Sequence, residues 1–379
     1  MSAFLPVPFN DLSIQWRLIE EQAMPDLKAL FETSAFCLGP AVEKFEKEFA
    51  AYIGVRHAIA VNSGTSALHL AVVAAGIGRG DKVLLPAHTF VATAWPVLYV
   101  NAEPVLCDVD EASGTIDIAD AEHRMSGDVR AIIPVHLYGQ PANMRAVTDF
   151  ALRHGLTVIE DAAQAHGAVY GKVRIGALGR FGCFSFYPGK NLGAAGEGGL
   201  VATNDDTAAA RIRALRNHAQ RERYVHSELG FNYRMEGIQG VILSHKLRYL
   251  DAWTAERKRI CRRYLDGLRG LPLKLPEVVH EDHVYHLFVI RTPKRNALRA
   301  HLGERGIETG LHYPVPLNRQ PCLAHLGVDR QSFPVADRYA SECLSLPVFV
   351  GMTDAQIDAV IGEICRFFGR PPILPSSKV

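Results

Sequence analysis

The sequence predicts an α/β protein: a large domain with a mostly parallel, mixed sheet flanked by helices, followed by a smaller α+β domain. Two observations carry this prediction. Between about residues 56 and 205, short apolar segments alternate with amphipathic ones, as strands and helices do in a largely parallel sheet. From about residue 272 a shorter alternation follows. With 379 residues and 48% hydrophobic content, the chain is long enough for both domains.

The predicted strands of the large domain are short runs rich in Val, Ile and Leu, which is typical of strands covered on both faces. They are KVLLP (82–86), EPVLCDVD (103–110), AIIPVHLYG (131–139), LTVIEDAA (156–163), CFSFYP (183–188) and GLVATN (199–204). Helices are predicted at SALHLAVVAAG (66–76) and ANMRAVTDFALRHG (142–155), and the glycine at position 155 ends the second helix.

Longer helical segments follow. The run ARIRALRNHAQRERY (210–224) is predicted to be helical, and residues 235–270 form a long connecting helix broken near Leu250. We therefore predict a large domain at 1–250 and a small domain at 251–379, with the N-terminal segment a candidate to pack on the small domain. The strand-like segments LPLKLPEVV (271–279) and HVYHLFVIRT (283–292), then a helix at 295–307, build the small domain, and residues 369–379 are expected to be a loose tail.

Composition excludes several classes of function. Lys plus Arg number 41 against 40 Asp plus Glu, so no global charge points to nucleic acid or an anionic membrane. The seven cysteines are scattered without a CxxC pair, which argues against a zinc site, against disulfides and for a reducing compartment. No signal segment and no membrane-spanning apolar stretch is present, so we expect a cytoplasmic protein with no metal.

Ligands of open parallel sheets bind beyond the carboxyl ends of the strands, so the residues that follow each apolar run are the candidates. In AVNSGTSALHL a strand end runs directly into a helix, and Gly64 allows close backbone approach. The free N–H groups at that helix N-terminus suit one phosphate. An ordinary Ser or Thr N-cap explains the same residues equally well.

Glu160 and Asp161 close the strand in LTVIEDAAQAHGA. A carboxylate at the sheet edge persists as an anion only with a cationic or hydrogen-bonding partner. It is therefore either an N-cap for the next segment or a partner for a protonated ring nitrogen. In PAHTFVATAW, Phe90 follows another strand end, where its ring could stack on a flat cofactor or belong to the core.

Lys190, in FSFYPGKNLGAAGEGG, follows a strand and a Pro-Gly turn and precedes several glycines. An unperturbed lysine has a pKa of about 10.4, and desolvation lowers this value so that the amine can form a Schiff base. A solvated loop lysine is the common alternative. Residues 62–66, at the helix N-terminus described above, are called the anion cup below. Together, this anion cup, a carboxylate, a stacking ring and an amine at strand ends are what pyridoxal 5′-phosphate requires.

With these blocks the sequence resembles the DegT family of pyridoxal-phosphate-dependent sugar-nucleotide aminotransferases, which have the fold type I aminotransferase architecture. The resemblance extends from VPFNDLSIQW to about residue 366. Its blocks are NSGTSALHL, PAHTFVATA, PVHLYGQPANM, VIEDAAQAHGA, FSFYPGKNLGAAGEGG, GFNYRMEGIQGVIL and LHYPVPLNRQP.

The resemblance implies two catalytic residues. Lys190 carries the Schiff base with the cofactor aldehyde and later moves the proton at the substrate carbon, and Asp161 pairs with the pyridine nitrogen. The other implied cofactor contacts are Gly64, Thr65 and Ser185 at the phosphate, Phe90 on the ring, and Gln164 near the ring hydroxyl. Asn232 resembles the residue that reaches the neighbouring subunit's cofactor, which implies a homodimer with shared active sites.

The LHYPVPLNRQP block is most like members that aminate C3 of a dTDP- or UDP-linked keto-sugar, with His312 and Tyr313 approaching the sugar. Gly189, where many relatives have Thr, fits this branch, whereas Asn318 stands where many such members have histidine. Arg234 and the arginines of RNHAQRERY are candidates for the nucleotide diphosphate or the donor carboxylate, since Arg binds such groups in a bidentate manner. A solvated helix face explains the basic run equally well.

The expected activity is a ping-pong transfer of an amino group from L-glutamate to the keto-sugar. Alternatives are a C4-aminating enzyme and a non-catalytic regulator that binds pyridoxal phosphate. A sugar dehydratase of the same family would carry histidine in place of Lys190. A dinucleotide-binding oxidoreductase would need a glycine-rich turn and an acid roughly 20 residues later, which NSGTSAL does not supply.

Overall fold

The computed structural model of the chain describes residues 5–280 and 282–371. Those residues form twelve α-helices: α1 (Ser13–Thr33), α2 (Pro40–Ile53), α3 (Gly64–Ala74), α4 (Trp95–Tyr99), α5 (Ile118–His123), α6 (Met144–His154), α7 (Asp206–Leu215), α8 (Gly237–Leu247), α9 (Leu250–Gly267), α10 (Arg295–Glu304), α11 (Pro334–Glu342) and α12 (Asp354–Phe367).

The same residues form thirteen strands. They are β1 (His57–Val61), β2 (Lys82–Pro86), β3 (Glu103–Cys107), β4 (Val129–Ile132), β5 (Thr157–Asp161), β6 (Val169–Tyr170), β7 (Val173–Arg174), β8 (Phe181–Ser185), β9 (Gly199–Thr203), β10 (Gln220–Glu222), β11 (Val225–His226), β12 (Phe288–Arg291) and β13 (Cys343–Leu346).

Seven strands form the main sheet, in the order β1-β9-β8-β5-β4-β2-β3. Strand β9 is antiparallel to both of its neighbours, whereas the other adjacent pairs are parallel. The predicted α/β class with a mostly parallel, mixed sheet is therefore confirmed. The carboxyl ends of β2, β4, β5 and β8 meet at one edge, which is where such sheets bind ligands.

Both faces of the sheet are buried. Along β2, Val83 and Leu85 belong to one apolar cluster and Leu84 to the other. This alternation places successive side chains on opposite faces of the sheet. Because the strands are apolar on both faces, helices cover both sides of the sheet.

A separate apolar cluster holds the C-terminal part together, with Tyr264 of α9, Phe288 of β12 and Ile361 of α12 buried in it. The N-terminal segment joins this cluster through Val7, which pairs with Ile307. The boundary between the domains at residue 250 stays a prediction.

Two predicted elements are wrong. The helix predicted over 210–224 ends at Leu215, because His218 and Ala219 adopt positive φ angles of 60° and 51° and the His218 N–H donates to the Phe231 carbonyl at 2.9 Å. This tertiary pairing overrides the local helical preference. The predicted strand at 271–279 is reduced to one bridge, between Lys274 and Arg291. Its two prolines lack the N–H that a ladder needs.

The predicted break near Leu250 is present, since α8 ends at Leu247 and α9 begins at Leu250. Most of the predicted tail, residues 372–379, lies outside the described residues. In the described ranges, no helix combines the length and the apolar character that crossing a bilayer requires.

Candidate active site

A cavity of about 720 Å³ opens beyond the carboxyl ends of the central strands. Nine of the residues that the sequence singles out line it: Gly64, Thr65, Phe90, Asp161, Gln164, Ser185, Lys190, His312 and Tyr313. They come from parts of the chain that are up to 249 positions apart. The structure thus brings together the anion cup, the carboxylate, the ring and the amine, while the role of each residue stays a prediction.

Lys190 lies in the loop after β8, where its backbone N–H donates to the Tyr187 carbonyl at 2.8 Å. Lys246 also stabilises this loop, because its Nζ donates to the Gly193 carbonyl at 2.8 Å. Burial lowers the pKa of Lys190 to about 8, against the opposing effect of the negative charge on Asp161. A larger fraction of this amine is therefore neutral, and nucleophilic, than in an ordinary lysine.

Asp161 is the last residue of β5 and is buried. Its Oδ2 accepts a hydrogen bond from Thr93 Oγ1 at 2.8 Å, and its Oδ1 accepts one from the Ala163 N–H at 3.2 Å. Burial raises the pKa of Asp161, although both hydrogen bonds and the charge of Lys190 act in the opposite direction. Among the described residues no cationic side chain forms an ion pair with it, so a bound cation would supply what this carboxylate lacks.

Glu160 points away from the cavity, to the opposite face of the strand. Its carboxylate accepts a hydrogen bond from His136 Nε2 at 3.1 Å and three from backbone N–H groups within residues 176–179, at 2.7–2.9 Å. These bonds satisfy a fully buried acid that holds a turn in place. Of the two adjacent carboxylates that the sequence offers, only Asp161 faces the cavity.

The anion cup is built by a close approach of backbone segments. Helix α3 begins at Gly64, and a Cβ at that position would lie 2.7 Å from the Cβ of Ser185. A Cβ at Gly199 would lie 2.2 Å from the carbonyl carbon of Ser63. Ser63 also caps the helix, since its Oγ accepts from the Ser66 N–H at 3.1 Å. The capping and anion-binding interpretations therefore coexist.

The ring side of the cavity is aromatic. Phe90 is 50% exposed, and its ring centroid lies 5.4 Å from that of Tyr313. Gln164 donates from Nε2 to the Tyr313 hydroxyl at 2.9 Å and accepts from the Tyr138 N–H at 2.6 Å. These bonds fix the Gln164 amide at the cavity wall.

His312 lies beside this wall, and its Nδ1 is within 2.8 Å of Ser345 Oγ. Burial lowers the pKa of His312 to about 4, and the charge of Lys190 acts in the same direction. The imidazole is therefore neutral at physiological pH and offers one hydrogen bond to a ligand rather than a charge.

Asn232 and Arg234 do not line the cavity of the single chain. Asn232 is exposed, and its carbonyl accepts from Asn62 Nδ2 at 3.5 Å. Arg234 donates from Nη1 to Asn217 Oδ1 at 3.2 Å. A contact of Asn232 with a second subunit and a substrate role for Arg234 both stay predictions.

The polar cavity residues that the sequence prediction did not name include Thr93, Arg257 and His286. The sequence did carry a signal for Thr93, because it lies four residues after Thr89 near a strand end. In the structure the two hydroxyl oxygens are 2.9 Å apart. No local signal marked Arg257 or His286. Arg257 lies on α9 and His286 just before β12, so tertiary packing brings both to the site.

The residues present fit pyridoxal 5′-phosphate. The buried Asp161 carboxylate has no ion-pair partner among the described residues, and Lys190 has a lowered pKa in the same cavity. Helix α3 begins at Gly64, and its N-terminal N–H groups suit a phosphate. The backbone at Gly64 is too crowded to accept a side chain. The half-exposed Phe90 ring suits a flat heterocycle.

Comparison with known proteins gives a consistent result. The model of the DegT/DnrJ/EryC1/StrS aminotransferase family matches residues 17–365. A "Pleiotropic regulatory protein" of Geobacillus stearothermophilus is 42% identical over 366 residues, which cover 96% of this chain and 98% of that protein. The dTDP-3-amino-3,4,6-trideoxy-alpha-D-glucose transaminase of Streptomyces venezuelae is 44% identical over 366 residues, covering 96% and 97%.

A solved structure matches equally well. The X-ray structure of S. venezuelae DesV in complex with a ketimine intermediate aligns with a TM-score of 0.94 at 42% sequence identity. The alignment covers 97% of this chain and 100% of that one. The likeness therefore extends over both the main sheet and the C-terminal part.

Proposed function

The chain belongs to the DegT/DnrJ/EryC1/StrS aminotransferase family, and we propose that it transfers an amino group from L-glutamate to C3 of a dTDP- or UDP-linked keto-deoxysugar. It is a pyridoxal-phosphate-dependent aminotransferase, and the proposal concerns its donor, its acceptor and its residues. The observation that carries it is the convergence of Lys190 and Asp161 on one cavity that also contains the N-terminus of α3.

Bound in this cavity, pyridoxal 5′-phosphate supplies an electron sink for the negative charge that develops on the substrate carbon. Lys190 would hold the cofactor through Nζ, and its free amine would take a proton from the substrate carbon and return it. A pKa near 8 suits this task, because a proton carrier works best with a pKa close to the operating pH. Asp161 would accept a hydrogen bond from the pyridine N–H and so favour the protonated form of that nitrogen.

The other residues bind and orient. Gly64, Thr65 and Ser185 hold the phosphate, because the α3 N-terminus directs N–H groups at an anion. Phe90 stacks on the ring, and Gln164 is held near its hydroxyl by the bonds to Tyr138 and Tyr313.

The acceptor is proposed from similarity and from the cavity wall. The Streptomyces venezuelae relative, 44% identical over 96% of this chain, is named for a 3-amino sugar. His312 is neutral and held by Ser345, so it can hydrogen-bond a sugar hydroxyl beside Tyr313. Arg234 is proposed for the nucleotide diphosphate.

A homodimer completes the proposed site, with Asn232 of each chain reaching the cofactor of the other. Its support is that Asn232 is exposed and lies outside the cavity of its own chain. The cytoplasmic location belongs to the same proposal, supported by seven scattered cysteines that favour a reducing compartment.

The experiment has two steps. The purified protein should show a visible absorption band that Lys190→Ala abolishes and that L-glutamate removes in the wild type. Glutamate-treated enzyme is then offered 3-keto and 4-keto sugar nucleotides, and products are identified by mass and NMR. A 4-amino product would replace the C3 assignment by C4, and a band that never responds to glutamate would favour a regulator, as the name of the Geobacillus relative suggests.

A further inference from the structure

Arg257, on α9, is a buried arginine that lines the active-site cavity. Its Nε donates to the Tyr285 carbonyl at 2.8 Å, and its Nη2 donates to the His286 carbonyl at 2.7 Å. Across the described residues, Nη1 has no hydrogen-bond partner and no carboxylate lies within ion-pair distance of the guanidinium. Its positive charge is therefore held by two neutral carbonyls.

The other arginines that are buried within the described ranges are paired. Arg216 forms an ion pair with Glu46 at 2.5 Å, and Arg291 forms one with Glu111 at 2.9 Å. A buried charge without a counter-ion is costly, and the cost is removed when an anion binds. Among the buried arginines that the structure describes, Arg257 alone borders this cavity, so its missing counter-ion points to a ligand.

His286 adds a second polar group to the same wall. It is only 9% exposed and borders the cavity, and its Nδ1 is buried without a partner among the described residues. Burial lowers its pKa, and the positive charges of Lys190 and Arg257 lower it further, so both cations lie close to this imidazole. Arg257 and His286 thus form one polar patch beside the reactive amine.

We propose that Arg257, with His286 beside it, binds a carboxylate of the amino donor, which rests on the aminotransferase function proposed above. A guanidinium fits a carboxylate in a bidentate manner. The diphosphate of the sugar nucleotide is the other available anion. The donor is favoured because Arg257 is only 6% exposed, and so deep a group is accessible to a small carboxylate near Lys190 rather than to a bulky nucleotide.

The test separates the two half-reactions of the holoenzyme. The glutamate concentration for half-maximal loss of the visible band is measured for wild type, Arg257→Gln, Arg257→Lys and the control Arg248→Gln, which alters an exposed arginine just before α9. We expect Arg257→Gln to raise this glutamate concentration at least about tenfold, because a charge-assisted hydrogen bond is lost. Arg257→Lys keeps the charge and should raise the concentration less. The rate of the sugar-nucleotide half-reaction in the Arg257 variants should stay within about twofold of wild type. The glutamate concentration measured for Arg248→Gln should do the same.

A second readout does not depend on turnover. Glutarate, a dicarboxylate without an amine, should bind the wild-type holoenzyme in calorimetry and bind Arg257→Gln at least about tenfold more weakly. Equal losses in both half-reactions with a lowered melting temperature would assign Arg257 a purely structural role. A loss confined to the sugar-nucleotide half-reaction would assign it to the diphosphate. If glutamate never converts the wild type, the proposed donor is wrong, and glutarate binding alone decides whether this carboxylate subsite exists.

Discussion

Gln164 donates a hydrogen bond from Nε2 to the hydroxyl oxygen of Tyr313 at 2.9 Å. This bond connects the turn after the central strand β5 to a segment that precedes β13 by thirty residues. It fixes the Gln164 side chain at the cavity wall, beside the place proposed for the cofactor ring, and the Tyr313 ring lies 5.4 Å from that of Phe90. The cavity wall therefore depends on a contact between the two parts of the chain.

Removal of the Tyr313 hydroxyl tests this contact. In Tyr313→Phe the Gln164 amide loses its acceptor in a partly buried place, so we expect the free energy of unfolding of the cofactor-free protein to fall by about 1 kcal/mol. Denaturant titration measures it. Tyr99→Phe is the control, because Tyr99 is exposed, and its effect should stay within about 0.5 kcal/mol. An equal loss in both variants would contradict the interpretation.

The raised pKa of Asp161 predicts opposite effects on stability and on activity. The native pKa lies above the usual value because of burial, so stability falls as the pH rises from the unfolded-state pKa to the native pKa, and the full cost is present above the native pKa. Asp161→Asn removes this cost and leaves an oxygen for Thr93. We therefore expect the cofactor-free variant to unfold at a higher temperature than wild type at pH 7.

The same Asp161→Asn change should lower transamination at least about hundredfold, because the electrostatic partner of the pyridinium is lost. Scanning calorimetry and the rate of glutamate-driven band loss measure the two effects. Asp149→Asn, at an exposed position on α6, should change neither. A variant that is both less stable and fully active would refute the assignment of Asp161.

Lys190 gives the stability of the cofactor-free protein a dependence on alkaline pH. Its native pKa of about 8 lies below the ordinary lysine value of 10.5, so the unfolded chain binds more protons between these values. Stability relative to a variant without the amine must therefore rise with pH across this window. We expect Lys190→Met to be more stable than wild type at pH 7 and the difference to shrink between pH 8 and 10.5.

Denaturant titrations at pH 7, 8, 9 and 10 measure this difference in free energy of unfolding. Lys44→Met, at an exposed position on α2, should differ from wild type by an amount that is constant over the same range. A constant difference for Lys190→Met as well would show that the amine is not desolvated in the native state.

Much of the cavity could be predicted because parallel strands end at a common edge. Gly64, Asp161, Ser185 and Lys190 each end a strand or closely follow one, so sequence position alone implied that they converge. The choice between Glu160 and Asp161 could not be made from the sequence. It depends on which side of β5 each carboxylate takes; the structure places Asp161 at the cavity, and its role toward the cofactor stays a prediction.

The remainder depends on tertiary placement that no local pattern encodes. Arg257 reaches the cavity because α9 packs against the segment at 285–286, and the sequence shows it only as one basic residue among several. The helix predicted beyond Leu215 fails for a similar reason, since His218 uses its N–H to pair with Phe231 instead of continuing the helix. The contact proposed for Asn232 involves a second chain, and Arg234 does not line the cavity of its own chain, so both roles stay predictions.

Gly64 provides a test of the anion cup that separates crowding from chemistry. An added Cβ would lie 2.7 Å from the Cβ and 3.2 Å from the Cα of Ser185, so the β8 end and the α3 N-terminus must move apart. We expect Gly64→Ala to lower the free energy of unfolding by about 1–3 kcal/mol, as overpacking does. Because the N–H groups are displaced, it should also weaken binding of pyridoxal 5′-phosphate at least about tenfold.

Gly78→Ala is the matched control, since no atom lies within 4 Å of its added Cβ and its φ is ordinary. Adding Ser185→Gly to Gly64→Ala removes the nearest atom, and this double variant should recover part of the stability but not the affinity, because the Ser185 hydroxyl is itself a proposed phosphate ligand. Fluorescence titration with the cofactor and denaturant unfolding give the two quantities. Recovery of both together would mean that the cup works through its shape alone and that Ser185 makes no contact with the phosphate.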